Sequence, residues 1–216
     1  MPAIVVTQPV EVENRLTQLG WRREQLLEVV GAMVAARNNC TDNDPAPARG
    51  WMAWKDGTRR MREIGIPLGL HRQDIEQIPW TVDLARGLKF AVANTDDATG
   101  IEARSPQNRS RKGPGTERAI SGNQGWLFED VPQPKVVPIS RAAQQPGIRV
   151  AWFLCVYAEG DDIRAELSCP LATEGGFFTD FVERIVLIGP DSGPFIVSDQ
   201  DIDGGDSEFD IPVSRK

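Results

Sequence analysis

The run Asp199-Gln200-Asp201-Ile202-Asp203-Gly204 places carboxylates at alternate positions ahead of a glycine, and Asp210 is the twelfth residue counted from Asp199. Carboxylates two apart converge on one hard cation, and the glycine permits the sharp turn such a loop needs, so the chemistry indicated is calcium coordination by Asp199, Asp201, Asp203 and Asp210. Three features oppose it. Asp210 is a carbon shorter than the usual glutamate, Asp206 stands where an apolar residue joins paired loops, and the flanks Phe195-Ile196-Val197 and Ile211-Pro212-Val213 read as strands instead of helices. A solvated acidic hairpin loop is the simpler reading. Calcium is the one cofactor the sequence offers; otherwise none is expected.

Two cationic groups suggest anion recognition. Arg104, Arg109, Arg111, Lys112 and Arg118 lie among Ser, Asn, Pro and Gly, a composition suited to sequence-blind phosphate contacts. The simpler alternatives are a solvated loop, or one lying on the acidic last third of the chain. Gly113-Pro114-Gly115-Thr116 is not a phosphate-binding loop, since no Gly-Lys-Ser/Thr follows. Lys55, Arg59 and Arg62 recur at i, i+4 and i+7, with Trp51 at the edge of the same helical stripe. That stripe would meet nucleic acid or an acidic partner; the plain alternative is the solvated face of an amphipathic helix.

Catalytic signatures are sparse. His71 is the only histidine, so Cys–His or Ser–His–Asp chemistry would have to pass through it, and no nucleophile motif accompanies it. Asp96-Asp97 follows a candidate strand, where paired carboxylates can hold a metal in a nuclease-like site. No second acidic cluster is identifiable by spacing, and a turn is the simpler reading. Cys40, Cys155 and Cys169 form no C-x-x-C pair and are odd in number, which speaks against a disulfide framework or zinc site. No apolar run approaches the ~20 residues of a membrane helix. The first residues have no basic stretch ahead of an apolar one, so a reduced, cytoplasmic setting without membrane contact is expected.

The net charge of −7 is unevenly distributed. Residues 151–216 carry 14 Asp/Glu against 4 Lys/Arg, whereas residues 1–65 carry 8 against 9 and residues 66–150 carry 9 against 11. Acidity therefore belongs to the last third alone, and anionic partners remain admissible for the rest.

The elements that must position these groups divide into two styles. Val12, Leu16 and Leu19 give one helical stripe, and Leu26, Leu27, Val29, Val30, Met33 and Val34 a second ending near Arg37-Asn38-Asn39. Asp44 and Pro45 predict a third helix start, with Trp51, Trp54, Thr58 and Met61 sharing a face and Gly65 and Pro67 ending it. Gln73–Ile78 suggests one or two helical turns. Leu88–Ala93 reads as a strand, and 102–125 as a long loop with a short helix over Thr116–Ile120.

After Gly147 the period changes to two. Residues 148–156 and 163–167 alternate about a turn at Gly160-Asp161, and the implied hairpin pairs Ala158 with Ile163, Val156 with Ala165 and Leu154 with Leu167. Glu183–Ile188, Pro194–Ser198 and Phe209–Val213 are further strand candidates, although Phe181–Ile185 could equally open a helix. The fold class is therefore α+β, an N-terminal helical region followed by a mainly antiparallel β-sheet region. Its expected divisions are a mainly helical region over 1–130 with one strand and a long basic loop, a proline-rich linker over 131–147, and an acidic β region over 148–216.

These patterns favour a non-catalytic binding or accessory protein within a larger assembly, with a protein partner and, through the basic loop, nucleic acid as a further ligand. The alternatives are a carboxylate-based metal-dependent hydrolase or nuclease and a calcium-stabilised module.

Overall fold

Alternation of apolar residues in the second half builds long strands, and their pairing recruits shorter strands from the first half. The computed structural model describes residues 3–124, 149–193 and 195. Seven strands are formed: β1 (Ile4–Val6), β2 (His71–Ile75), β3 (Ile78–Asp83), β4 (Leu88–Asn94), β5 (Val150–Glu159), β6 (Asp162–Glu174) and β7 (Phe177–Ile188). They make one sheet in the order β1-β7-β6-β5-β4-β3-β2. The β1–β7 and β4–β5 pairs are parallel and the other four are antiparallel. The α+β class is as read from the sequence, and the sheet is mainly antiparallel.

The β5–β6 register matches the alternation argument: Leu154 opposes Leu167, Val156 opposes Ala165, and Ala158 opposes Ile163. The same register sets Phe153, Cys155 and Tyr157 against Ser168, Glu166 and Arg164 on the opposite face. Phe181–Ile185, ambiguous by pattern, lies within strand β7. The strand candidates Pro194–Ser198 and Phe209–Val213, the boundary segment 131–147 and the acidic loop from Asp199 to Asp210 fall outside the described residues.

Several expectations are corrected. The first half contributes four strands where pattern gave one, and β4 pairs directly with β5 across the proline-rich segment. The helical turns expected over Gln73–Ile78 are instead the β2–β3 hairpin. Glu76 and Gln77 take φ of 53° and 63°, the left-handed pair that a two-residue hairpin turn demands. Pro79 is tolerated because β4 pairs with β3 only over Thr81–Asp83, leaving Pro79 with one neighbouring strand.

Helices α1 (Pro9–Leu19), α2 (Arg23–Asn38) and α3 (Ala48–Gly65) cover one face of the sheet, and a short 3₁₀ turn (Ile66–Leu68) follows α3. Val12, Leu16 and Leu19 are the buried residues of α1, as their spacing requires. Helix α3 begins at Ala48, not at Pro45. Asp44 turns backward instead of capping it, accepting the Thr41 N–H at 2.7 Å. The buried face of α3 is Ala53, Gly57, Met61 and Gly65, while Trp51 is 57% exposed. Small residues won this face because α2 and α3 pack closely: a Cβ on Gly57 would lie 2.3 Å from Met33 Cγ.

Helix α4 (Pro114–Gln124) and the loop before it cover the other face, above the linked rings of Trp80, Phe153, Phe178 and Phe181. Asn123 fastens α4 to the sheet. Its amide donates to Ala151 O at 3.0 Å and Pro170 O at 2.7 Å and accepts from Ala151 N at 2.8 Å. It thus satisfies strand backbone groups near the ends of β5 and β6, where Pro170 has no N–H to offer.

Candidate partner-binding surface

The two cationic groups found by spacing lie on opposite faces of the sheet. Loop 95–113 crosses the second face and is pinned by buried polar contacts. Asn108 donates to Ser110 O at 2.7 Å and Gly176 O at 2.9 Å, and accepts from Phe178 N at 2.8 Å. Glu166 is fully buried and accepts from Gly100 N at 2.8 Å, Ser168 Oγ at 2.6 Å, and Arg184 Nε and Nη2 at 2.8 and 2.6 Å. Arg184, 2% exposed, also donates to Arg104 O at 2.6 Å and Ile101 O at 3.1 Å. Gly100 sits with φ +73° against Ile188, where a Cβ would meet the Ile188 carbonyl oxygen at 2.6 Å. The loop is therefore a built part of the fold, lying on the acidic strands of the second half.

Its cations are largely engaged. Arg104 forms a two-pronged pair with Asp97 at 3.0 Å, which holds the Asp97 carboxyl below the ordinary aspartate range. Arg109 pairs with Glu159 at 3.2 Å and lies over the Tyr157 ring. Arg118 pairs with Glu76 at 2.7 Å. Lys112 is tucked against the sheet, and burial lowers its pKa. Arg111 packs over Gly176 and remains exposed. Asp96 forms a turn, accepting from Ala98 N at 3.2 Å and Gln107 N at 3.0 Å. Among the described residues, no group of three or more His, Cys, Asp or Glu is placed to hold a metal ion.

Elsewhere on this face Lys89 lies over the Trp80 ring at 4.8 Å. Burial, then the neighbouring Arg149, lower its pKa to about 8. The three cysteines are free thiols. Burial raises the pKa values of Cys155 and Cys169. His71 is exposed on β2.

On the helical side, α3 and the edge strand β2 enclose an open depression of about 380 Å³ lined by Lys55, Thr58, Arg59, Arg62, Glu63, Ile66 and Arg72. Helical spacing brings Lys55, Arg59 and Arg62 together, as the sequence indicated. Arg72 joins them from β2, a residue that linear spacing could not connect to α3. Arg62 bonds Asp74 at 2.5 Å, and Asp56 lies beside both Lys55 (3.1 Å) and Arg59 (3.5 Å). Arg59 remains 65% exposed, and Arg72 forms no ion pair among the described residues. Ile66 and Leu68 are exposed large apolar residues at the C-terminal end of α3. Among the described residues, strand β2 pairs only with β3, which makes it an edge of the described sheet.

Together these features define an α+β protein whose basic loop is a structural cover and whose open cationic surface lies at the α3–β2 edge. No protein-family model, curated protein or solved structure matches the chain. No helix among the described residues is long and apolar enough to cross a membrane.

Proposed function

We propose that the chain is a non-catalytic binding protein that docks an acidic segment of a protein partner on the α3–β2 edge. The observation carrying this reading is the convergence of Lys55, Arg59, Arg62 and Arg72 beside β2, which has β3 as its one strand partner among the described residues. An extended segment can add to β2 through backbone hydrogen bonds while alternate acidic side chains meet the cations. Exposed Ile66 and Leu68 supply apolar contacts that a polyphosphate chain would not use. Carboxylates pair with Arg104, Arg109 and Arg118 in the basic loop and with Lys55, Arg59 and Arg62 at the α3–β2 edge, where Arg72 is added without an ion pair among the described residues.

The test is fluorescence anisotropy with a labelled peptide of alternating Asp/Glu and Ile/Val, beside a single-stranded oligonucleotide. The peptide should bind the protein and lose affinity as salt rises, and Arg59→Ala with Arg72→Ala should weaken it about tenfold, ~1.4 kcal/mol. Arg109→Ala with Arg111→Ala should leave it unchanged. Unaltered peptide affinity in the Arg59/Arg72 variant, or tighter binding of the oligonucleotide, would refute the reading.

A further inference from the structure

We propose that Lys89, Arg149 and Gln73 form an oxyanion site on the sheet face opposite the α3–β2 depression, and that its ligand is a phosphate group. The site stands independently of the acidic-segment reading. Strand register brings these residues to one face. Gln73 opposes Trp80, and Lys89 opposes both Val82 and Ala151. Trp80, Val82 and Ala151 belong to the core of the second face, so Gln73 and Lys89 share their side, and Arg149 follows from Ala151 by alternation. Arg149 Nη1 donates to Gln73 Oε1 at 2.8 Å. Their strands, β5 and β2, are three spacings apart, about 14 Å, so the two side chains meet above β4 and β3, beside Lys89.

These two cations lack a counter-ion. Among the described residues neither Lys89 nor Arg149 forms an ion pair, and Lys89 Nζ lies over the Trp80 ring instead. Glu76 is the one carboxylate among the described residues that acts on Lys89, and it is already paired with Arg118 at 2.7 Å. Lys89, Arg149 and Arg118 thus face a single carboxylate, an excess of two positive charges that a phosphate dianion matches. Burial and the Arg149 charge both disfavour the Lys89 ammonium, and an anion seated between the two cations reverses the second effect. The donors also suit phosphate: a planar guanidinium fork, a compact ammonium, and the Gln73 NH₂ group, left to donate because Oε1 accepts from Arg149. His71 stands in the same transverse row, two strands from Lys89.

The experiment is calorimetric titration of the full-length chain with inorganic phosphate at pH 7, against chloride of matched ionic strength. A Kd on the order of 1 mM is expected from a few charge-assisted hydrogen bonds. Lys89→Met and Arg149→Met should each weaken binding about tenfold or more, while Arg109→Ala with Arg111→Ala leaves it unchanged. In the wild-type chain with isotopically methylated lysines, followed by NMR, phosphate should also move the Lys89 titration upward from about 8 toward 10.5. A Lys89 titration unmoved by phosphate would overturn the site, whether or not the variants fold. Phosphate binding retained by both Lys89→Met and Arg149→Met would overturn it as well, and so would acetate binding as tight as that of phosphate. Glycerol phosphate separates the sources of the ligand: affinity equal to or above that of inorganic phosphate assigns a phosphomonoester, and lower affinity assigns the free ion.

Discussion

Replacing Glu166 by Gln should be among the most damaging single changes in the molecule, although the side chains differ by one atom type. The carboxylate receives four hydrogen bonds, from Gly100 N, Ser168 Oγ and two guanidinium nitrogens of Arg184. Both Glu166 and Arg184 are almost entirely removed from water. An amide supplies one acceptor oxygen and turns an NH₂ group toward donors. It leaves the guanidinium charge buried and uncompensated. Breaking such a pair from one side costs about 3–5 kcal/mol. Against a typical total stability of ~5–15 kcal/mol, that is a large fraction.

The loss should appear in equilibrium urea unfolding as a lower midpoint at unchanged slope. Native-state hydrogen exchange should show Gly100 and its neighbours losing protection first, because Arg184 binds loop carbonyls at Ile101 and Arg104. Arg184→Met alone strands the carboxylate in the same way. The double variant Glu166→Gln, Arg184→Met should therefore cost less than the two single losses combined, with a coupling of about 2 kcal/mol or more. Asp97→Asn, which breaks an exposed pair in the same loop, is the control and should change the midpoint little. A loss below about 1 kcal/mol for Glu166→Gln, or strict additivity in the cycle, would refute the view that this pair fastens the loop to the sheet.

The thiols offer a direct check on burial: a thiol reagent should modify Cys40 in the native protein, leave Cys155 and Cys169 untouched, and count three thiols after denaturation. Lys89 should make stability depend on pH in the alkaline range. Its folded pKa of about 8 lies below the ordinary 10.5, so the unfolded chain binds the proton more tightly, and stability should rise from pH 8 toward 10.5. Lys89→Met should raise the melting temperature at pH 7 and remove that rise; an unchanged pH profile would contradict the assignment. Gly57→Ala should destabilise by roughly 1–2 kcal/mol, because overpacking against Met33 exceeds the ~1 kcal/mol gained in helix propensity. In a Met33→Ala background the same change should become stabilising, as measured by urea midpoint.

The β5–β6 hairpin was legible because alternation over ten and thirteen residues about a fixed turn sets the register, and a one-residue slip would move Leu154 and Leu167 off the helical core. Helices α1 and α2 were legible for the same reason at the helical period. The β2–β3 hairpin was not: β2 has no fully buried residue, and Glu76-Gln77 lacks the Asn-Gly chemistry that marks a two-residue turn. The short β1 was also obscured, since three residues give no period, and its place is set only by pairing with β7 more than 170 residues away.

At the candidate site the same physics divides what could be seen from what could not. Lys55, Arg59 and Arg62 are neighbours through helix geometry, so local spacing revealed them. Arg72 reaches them only through a hairpin that pattern misread, and that misreading concealed the strand β2 beside the cations. The basic loop shows the opposite limit. Its composition allowed phosphate contacts, a solvated loop or contact with the acidic last third; Arg104 faces Asp97 seven residues away, while Arg109 and Arg118 face Glu159 and Glu76 some forty to fifty residues away. Composition records how many cations a segment has; only tertiary pairing decides which remain available. By that criterion Arg72, outside the ion pairs of the described residues, marks the α3–β2 edge as the surface on which a partner search should be focused.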